Sequence, residues 1–207
     1  MNLRIAGATV LAALGLSVAG AGAQQAPPAM EVGALQLALV NLPARGSAKL
    51  EVTSPAFKML GDIPNQNTSW GANIFPGLDW TAGPPETKSY AIIMQDGDAM
   101  SKGAPILHWT MVNVPATVTH LDAAMIAPPE GAEYGPNIRG PAHAYMGPHT
   151  PPGPKHRYHI QVFALDTLLS GNVLSNYAEL TAAMARHVLA SGEVIGLGQA
   201  PSANPAK

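Results

Sequence analysis

Apolar positions along this chain fall mostly into short runs bounded by Gly and Pro, the arrangement of strands joined by turns. Residues 89–95 hold Tyr90, Ala91, Ile92, Ile93 and Met94 consecutively, which predicts a strand buried on both faces. Residues 106–114 carry Trp109, Val112 and Val114 ahead of Pro115 and predict a second strand. Residues 157–166 alternate most clearly, with Tyr158, Ile160, Val162 and Ala164 on one face and Arg157, His159 and Gln161 on the other. Weaker strand patterns lie at 35–42, 49–53 and 118–121. One helix is predicted. Asn176 can cap it, with Glu179 in capping-box position. Leu180, Ala183, Met184, His187 and Val188 then recur at helical spacing, and Gly192 is placed to end it. Many strands and few helices predict a mainly β chain, a β-sandwich with a few short peripheral helices.

The first residues read as an address. Arg4 is followed by an uncharged apolar run from Ile5 to Val18 and then by Ala21-Gly22-Ala23. This predicts a secretory signal peptide over 1–23, cleaved after Ala23. The run is too short for a spanning helix, which needs ~20 residues. The expected product is periplasmic or secreted, with no transmembrane anchor in the mature form. Residues 24–47 read as an N-terminal lead-in, loose as far as Gly33. Residues 48–196 read as the folded domain and 197–207 as a flexible tail, with fraying from Gly196. The formal net charge of −2 supplies no basic surplus, so nucleic acid is not an expected partner. The absence of cysteine excludes disulfides, thiolate metal sites and a Cys nucleophile.

Candidate chemistry gathers at the strand ends. The first strand runs into Asp96-Gly97-Asp98. Strict alternation puts His108 on the face of Thr110 and Val112, and puts His156 with Tyr158 on the apolar side of the third strand. The intervening stretch 128–154 holds eight Pro and five Gly, too long for an ordinary connection, which points to a functional loop. Its segment Tyr145-Met146-Gly147-Pro148-His149-Thr150-Pro151-Pro152-Gly153 can turn backbone N–H groups towards one anion. His143, His149, His156 and His159 crowd this region, but their spacing fits no common zinc motif. No metal or other cofactor is expected.

These pieces, in their order, resemble the phosphatidylethanolamine-binding protein (Raf kinase inhibitor-like) family in its bacterial exported branch. The resemblance rests on Ser54-Pro55-Ala56-Phe57, Gly61-Asp62-Ile63-Pro64, Pro76-Gly77-Leu78-Asp79-Trp80, the acidic motif Asp96-Gly97-Asp98-Ala99, His108-Trp109, Gly147-Pro148-His149-Thr150-Pro151-Pro152-Gly153 and His156-Arg157-Tyr158. It implies a β-sandwich with a small pocket for an anion such as phosphate, acetate or a phospholipid headgroup. The implied ligand-binding residues are Asp96, Asp98, His108, Trp109, Gly147, His149, Pro151, His156 and Tyr158. The family's acidic motif usually reads Asp-Pro-Asp-Ala-Pro. Gly97 and Met100 replace its prolines here, so a more mobile or differently shaped rim is expected.

The expected role is binding of a small anion, phosphate or headgroup rather than turnover. Two alternatives stand beside it. A hydrolase could use the Asp, His and Tyr groups for acid–base work, although no Gly-x-Ser-x-Gly elbow is present. An inhibitor could act on a protein partner in the exported compartment.

Overall fold

The computed structural model describes residues 31–201, so the expected signal peptide lies outside the described residues. The strands in chain order are β1 (Val52–Thr53), β2 (Gly61–Asp62), β3 (Leu78–Trp80), β4 (Ser89–Ser101), β5 (Ala104–Pro115), β6 (His120–Leu121), β7 (Glu133–Tyr134), β8 (His156–Leu165) and β9 (Val188–Gly198). Two short α-helices, α1 (Ala38–Asn41) and α2 (Tyr177–Met184), lie outside the sheets. The large sheet has the order β2-β9-β8-β4-β5-β7, and the small one β1-β3-β6. All pairings are antiparallel except β2 with β9.

The apolar run at 90–94 becomes the middle of the large sheet because both its faces are covered. Tyr90, Ile92 and Met94 face the small sheet, packing with Leu78, Trp80 and Leu121 in the inter-sheet core. Ala91 and Ile93 face the opposite side, where Ala38 and Leu42 from the N-terminal segment and Leu180 and Met184 from α2 cover them. The result is a sandwich with helices on its outer face, as the pattern predicts.

Local departures have identifiable causes. Residues 35–42 are not a strand. They form a 3₁₀ turn (Ala34–Gln36) followed by α1. The helix N–H groups of Ala38 and Leu39 donate to Gln95 Oε1 (2.8 Å) and Gln161 Oε1 (2.6 Å). The face of β8 that reads as polar is therefore not a solvent face: Gln161 and His159 are buried beneath this segment. The N-cap of α2 is as expected, with Glu179 N–H donating to Asn176 Oδ1 at 3.0 Å. The helix ends earlier than its apolar spacing suggests. Arg186 takes a left-handed φ of 69°, and Val188 already begins β9. Gly192 is a mid-strand residue, not a helix stop; a Cβ there would lie 2.0 Å from the Leu50 carbonyl oxygen. Fraying does not begin at Gly196 either, since Gly196 pairs with Tyr158 and with Gly61, and β9 continues to Gly198.

Candidate functional site

The pairing of β4 with its two neighbours builds the site. Against β8 the register runs without interruption to Asp96, which stands opposite Tyr158. Against β5 it slips: Met94 pairs with Trp109 and Gln95 with Leu107, leaving His108 as the extra residue of a β-bulge. The bulge turns His108 to the inter-sheet side, where its ring meets that of Tyr158 edge-on at 5.0 Å between centroids. Thr110 and Val112 face the other way, Val112 in the cluster beneath the helices. Placing His108 with them, as strict alternation does, is therefore corrected. The largest of the three register shifts against β5 separates Asp96, opposite Ile106, from Met100, opposite Pro105.

That largest slip parts the two acidic residues. Asp96 Oδ2 accepts from His156 Nδ1–H at 2.9 Å, and Asp96 Oδ1 accepts the Asp98 backbone N–H at 2.9 Å. Asp98 turns instead to Arg157, accepting its backbone N–H and Nε–H at 2.8 Å each and its Nη2–H at 2.5 Å. Arg157 also meets Glu31 at 3.2 Å, and Glu31 reaches His159 Nε2 at 2.7 Å. Gly97 lies under this contact: a Cβ there would sit 2.2 Å from Glu31 Oε2 and 3.0 Å from His159 Nε2. Gly33 N–H donates to the Gly97 carbonyl at 2.9 Å. Any side chain at position 97 would therefore press on Glu31, and the lead-in near Gly33 is pinned rather than loose.

The Pro-rich loop closes the site from the other side. His108 Nδ1–H donates to the Met146 carbonyl at 3.1 Å, which leaves Nε2 as the other ring nitrogen. The Tyr158 hydroxyl is bonded to Thr150 Oγ1 at 2.8 Å. Trp70 braces the loop by stacking on His149 (4.1 Å, 14°) and donating from Nε1 to the Thr150 carbonyl at 3.1 Å. Gly147 N–H donates to Asn73 Oδ1 at 2.8 Å. A Cβ on Gly147 would meet the Asn67 carbonyl oxygen at 2.5 Å, so this crossing needs glycine.

Burial and charge set the protonation pattern. Burial pushes the His108 imidazole below its ordinary value, against the pull of Asp96. Burial and the Asp96 charge push the Tyr158 phenol well up, so it stays a hydroxyl. Burial opposes ionisation of Asp98, but Arg157 outweighs it and holds the carboxyl below its usual range. His159 is the reverse case. Burial disfavours its charge, yet Glu193 (2.8 Å) and Glu31 (2.7 Å) together raise it. Arg157 and Asp98 complete the charged groups around it.

A folded-state value raised above the ordinary 6.5 contributes stability that is complete below 6.5 and lost as the pH rises through the raised value. The urea midpoint is therefore expected to fall as the pH rises from 6.5 through the raised value, with the His159 ring titrating above 6.5 by NMR. A ring that titrates below 6.5 would contradict the pairing.

Asp96, His108, His156 and Tyr158 are brought together as expected. The other candidates are not part of that cluster in the same way. Trp109 is fully buried against Phe75 (5.0 Å) and Tyr145 (6.1 Å), a core residue rather than a pocket wall. Asp98 is occupied by Arg157. The His149 ring lies on Trp70 and Pro151 is exposed. Gly147 is buried behind the loop. Thr150, the Met146 carbonyl and Glu31 were not visible as participants, because their roles depend on contacts across the fold. Among the described residues, no group of His, Asp and Glu is arranged to hold a metal ion.

The model of the phosphatidylethanolamine-binding protein family matches residues 53–199. A Methanothermobacter thermautotrophicus protein known as a UPF0098 protein is 37% identical over 153 residues, spanning 72% of this chain and 97% of the relative. The crystal structure of Escherichia coli YbcL, described as a member of the mammalian family, superposes with a TM-score of 0.68 at 30% identity, over 74% of this chain and 100% of that one. A Chlamydia trachomatis homologue gives a TM-score of 0.67 at 30% identity, over 75% of this chain and 100% of that one.

Proposed function

The chain belongs to the phosphatidylethanolamine-binding protein family, and we propose that it acts by holding a small oxyanion, phosphate or the phosphate of a phospholipid headgroup, in an exported compartment. The observation that carries this reading is the buried convergence of His108, His156 and Tyr158 around Asp96. Tyr158 is kept as a hydroxyl, and a partly dry setting strengthens any bond it makes to an oxyanion. Asp96 is engaged by His156 and so orients an imidazole rather than simply repelling an anion. His108, neutral and donating from Nδ1, presents an acceptor at Nε2. A site with both donors and an acceptor suits an oxyanion that still carries a proton, or a zwitterionic headgroup.

Millimolar inorganic phosphate or phosphoethanolamine is expected to raise the melting temperature, and His108→Ala to remove that rise while the unliganded protein stays folded by circular dichroism. Affinity is expected to weaken as the pH passes the second ionisation of a phosphomonoester, about 6. The absence of any shift with either compound would overturn the reading.

A further inference from the structure

A concave cleft lies behind the Pro-rich loop. It is a cleft of about 400 Å³ bordered by Asn73, Asn137, Arg139, His143, Tyr145 and Met146. No carboxylate lines it, although the chain as a whole is acidic. Its polar floor is already committed to the fold. Asn73 Nδ2 donates to the Tyr145 carbonyl at 3.1 Å, the Tyr145 hydroxyl to the Asn67 carbonyl at 2.8 Å, and Asn137 Nδ2 to the His108 carbonyl at 3.4 Å. What the cleft leaves for a visitor is the Arg139 guanidinium and the His143 imidazole, neither with a side-chain partner among the described residues.

Arg139 stands on a rigid turn. Asn137 and Gly140 exchange backbone hydrogen bonds at 2.8 and 3.1 Å, and Asn137 Oδ1 accepts the Arg139 backbone N–H at 2.8 Å. Ile138 N–H donates to the Leu107 carbonyl at 2.9 Å, which ties the turn to β5 beside His108. An exposed guanidinium bordering a carboxylate-free cleft offers a planar fork that matches two oxygens of one phosphoryl group, and His143 adds a further N–H. We propose that this cleft is a second anion-binding site, specific for a phosphate or phosphomonoester group, with Arg139 as its principal ligand and His143 as its partner. The assignment is independent of the reading given to the His108 cluster.

The two sites share a wall. Met146 borders the cleft, and its carbonyl receives the His108 Nδ1–H.

The test is an NMR titration of the purified protein with inorganic phosphate at low salt, following backbone amides of 137–147 separately from those of Asp96 and Tyr158. The 137–147 amides are expected to shift with their own dissociation constant. Arg139→Gln, an exposed change that spares the core, is expected to weaken that constant at least about tenfold, the loss of the charged fork. His108→Ala should act mainly on the Asp96 and Tyr158 signals. Unshifted 137–147 amides, or a constant unchanged by Arg139→Gln, would overturn the second site. Silence at Asp96 and Tyr158 alone would overturn the first reading and leave the second standing.

Discussion

Replacing Trp109 by alanine is expected to destabilise the protein by about 4 kcal/mol, within the ~3–5 kcal/mol seen for large aromatics emptied from a core. The side chain is fully buried between the sheets and packs on Phe75 and Tyr145. Truncation removes its own buried surface and leaves a void that neighbouring strands cannot collapse to fill. Trp109→Phe should cost far less, roughly 1–2 kcal/mol, because the indole Nε1 has no hydrogen-bond partner to lose. Urea denaturation of both variants measures this. The phosphate affinity of Trp109→Phe should match that of the parent protein. A stable Trp109→Ala with lost ligand binding would return Trp109 to the pocket and sink the core assignment.

Gly97→Ala is expected to cost about 3 kcal/mol, although it adds only a methyl group. The new Cβ would occupy the place of Glu31 Oε2, 2.2 Å away, and press on His159 Nε2. Glu31 is a flexible side chain and can withdraw, so the cost is not steric. It is the loss of one carboxylate from a buried His159, with Glu193 left as its remaining acidic partner. Breaking a buried ion pair costs ~3–5 kcal/mol, and the surviving Glu193 places this case at the lower end. In a Glu31→Ala background most of the Gly97→Ala penalty should vanish, because there is no longer a carboxylate to displace. Chemical denaturation of the two single variants and the double variant gives the coupling directly. Additive losses would mean that the glycine is needed for its backbone alone.

Much of the frame was legible because it depends on neighbours in the chain. The run Tyr90-Ala91-Ile92-Ile93-Met94 marks a strand covered on both faces wherever it is placed, and the structure covers it on both. Asn176 caps α2 through the N–H of Glu179, three residues away, a contact that needs no tertiary support. The apolar face of β8 is also read correctly. Its opposite face misleads, since Gln161 reads as part of a polar face until the N-terminal helix arrives to use its carbonyl. The C-terminal limit of α2 misleads for a related reason: Met184, His187 and Val188 satisfy a helical period, while Val188, Ala190 and Val194 satisfy a strand, and pairing with β8 decides between them.

The amino-acid order by itself determined the central strands, the cap of α2 and the set of polar residues from which a site could be drawn, because side-chain periodicity and capping act over a few residues. Only the tertiary structure decided which way His108 faces, how Asp96 parts from Asp98, and what a side chain at Gly97 would meet. A bulge exists only by comparison with the partner strand. The Glu31–His159 contact joins residues 128 apart, so no local pattern records it. The space that such a contact occupies becomes visible only when the sheet and the N-terminal segment are packed together.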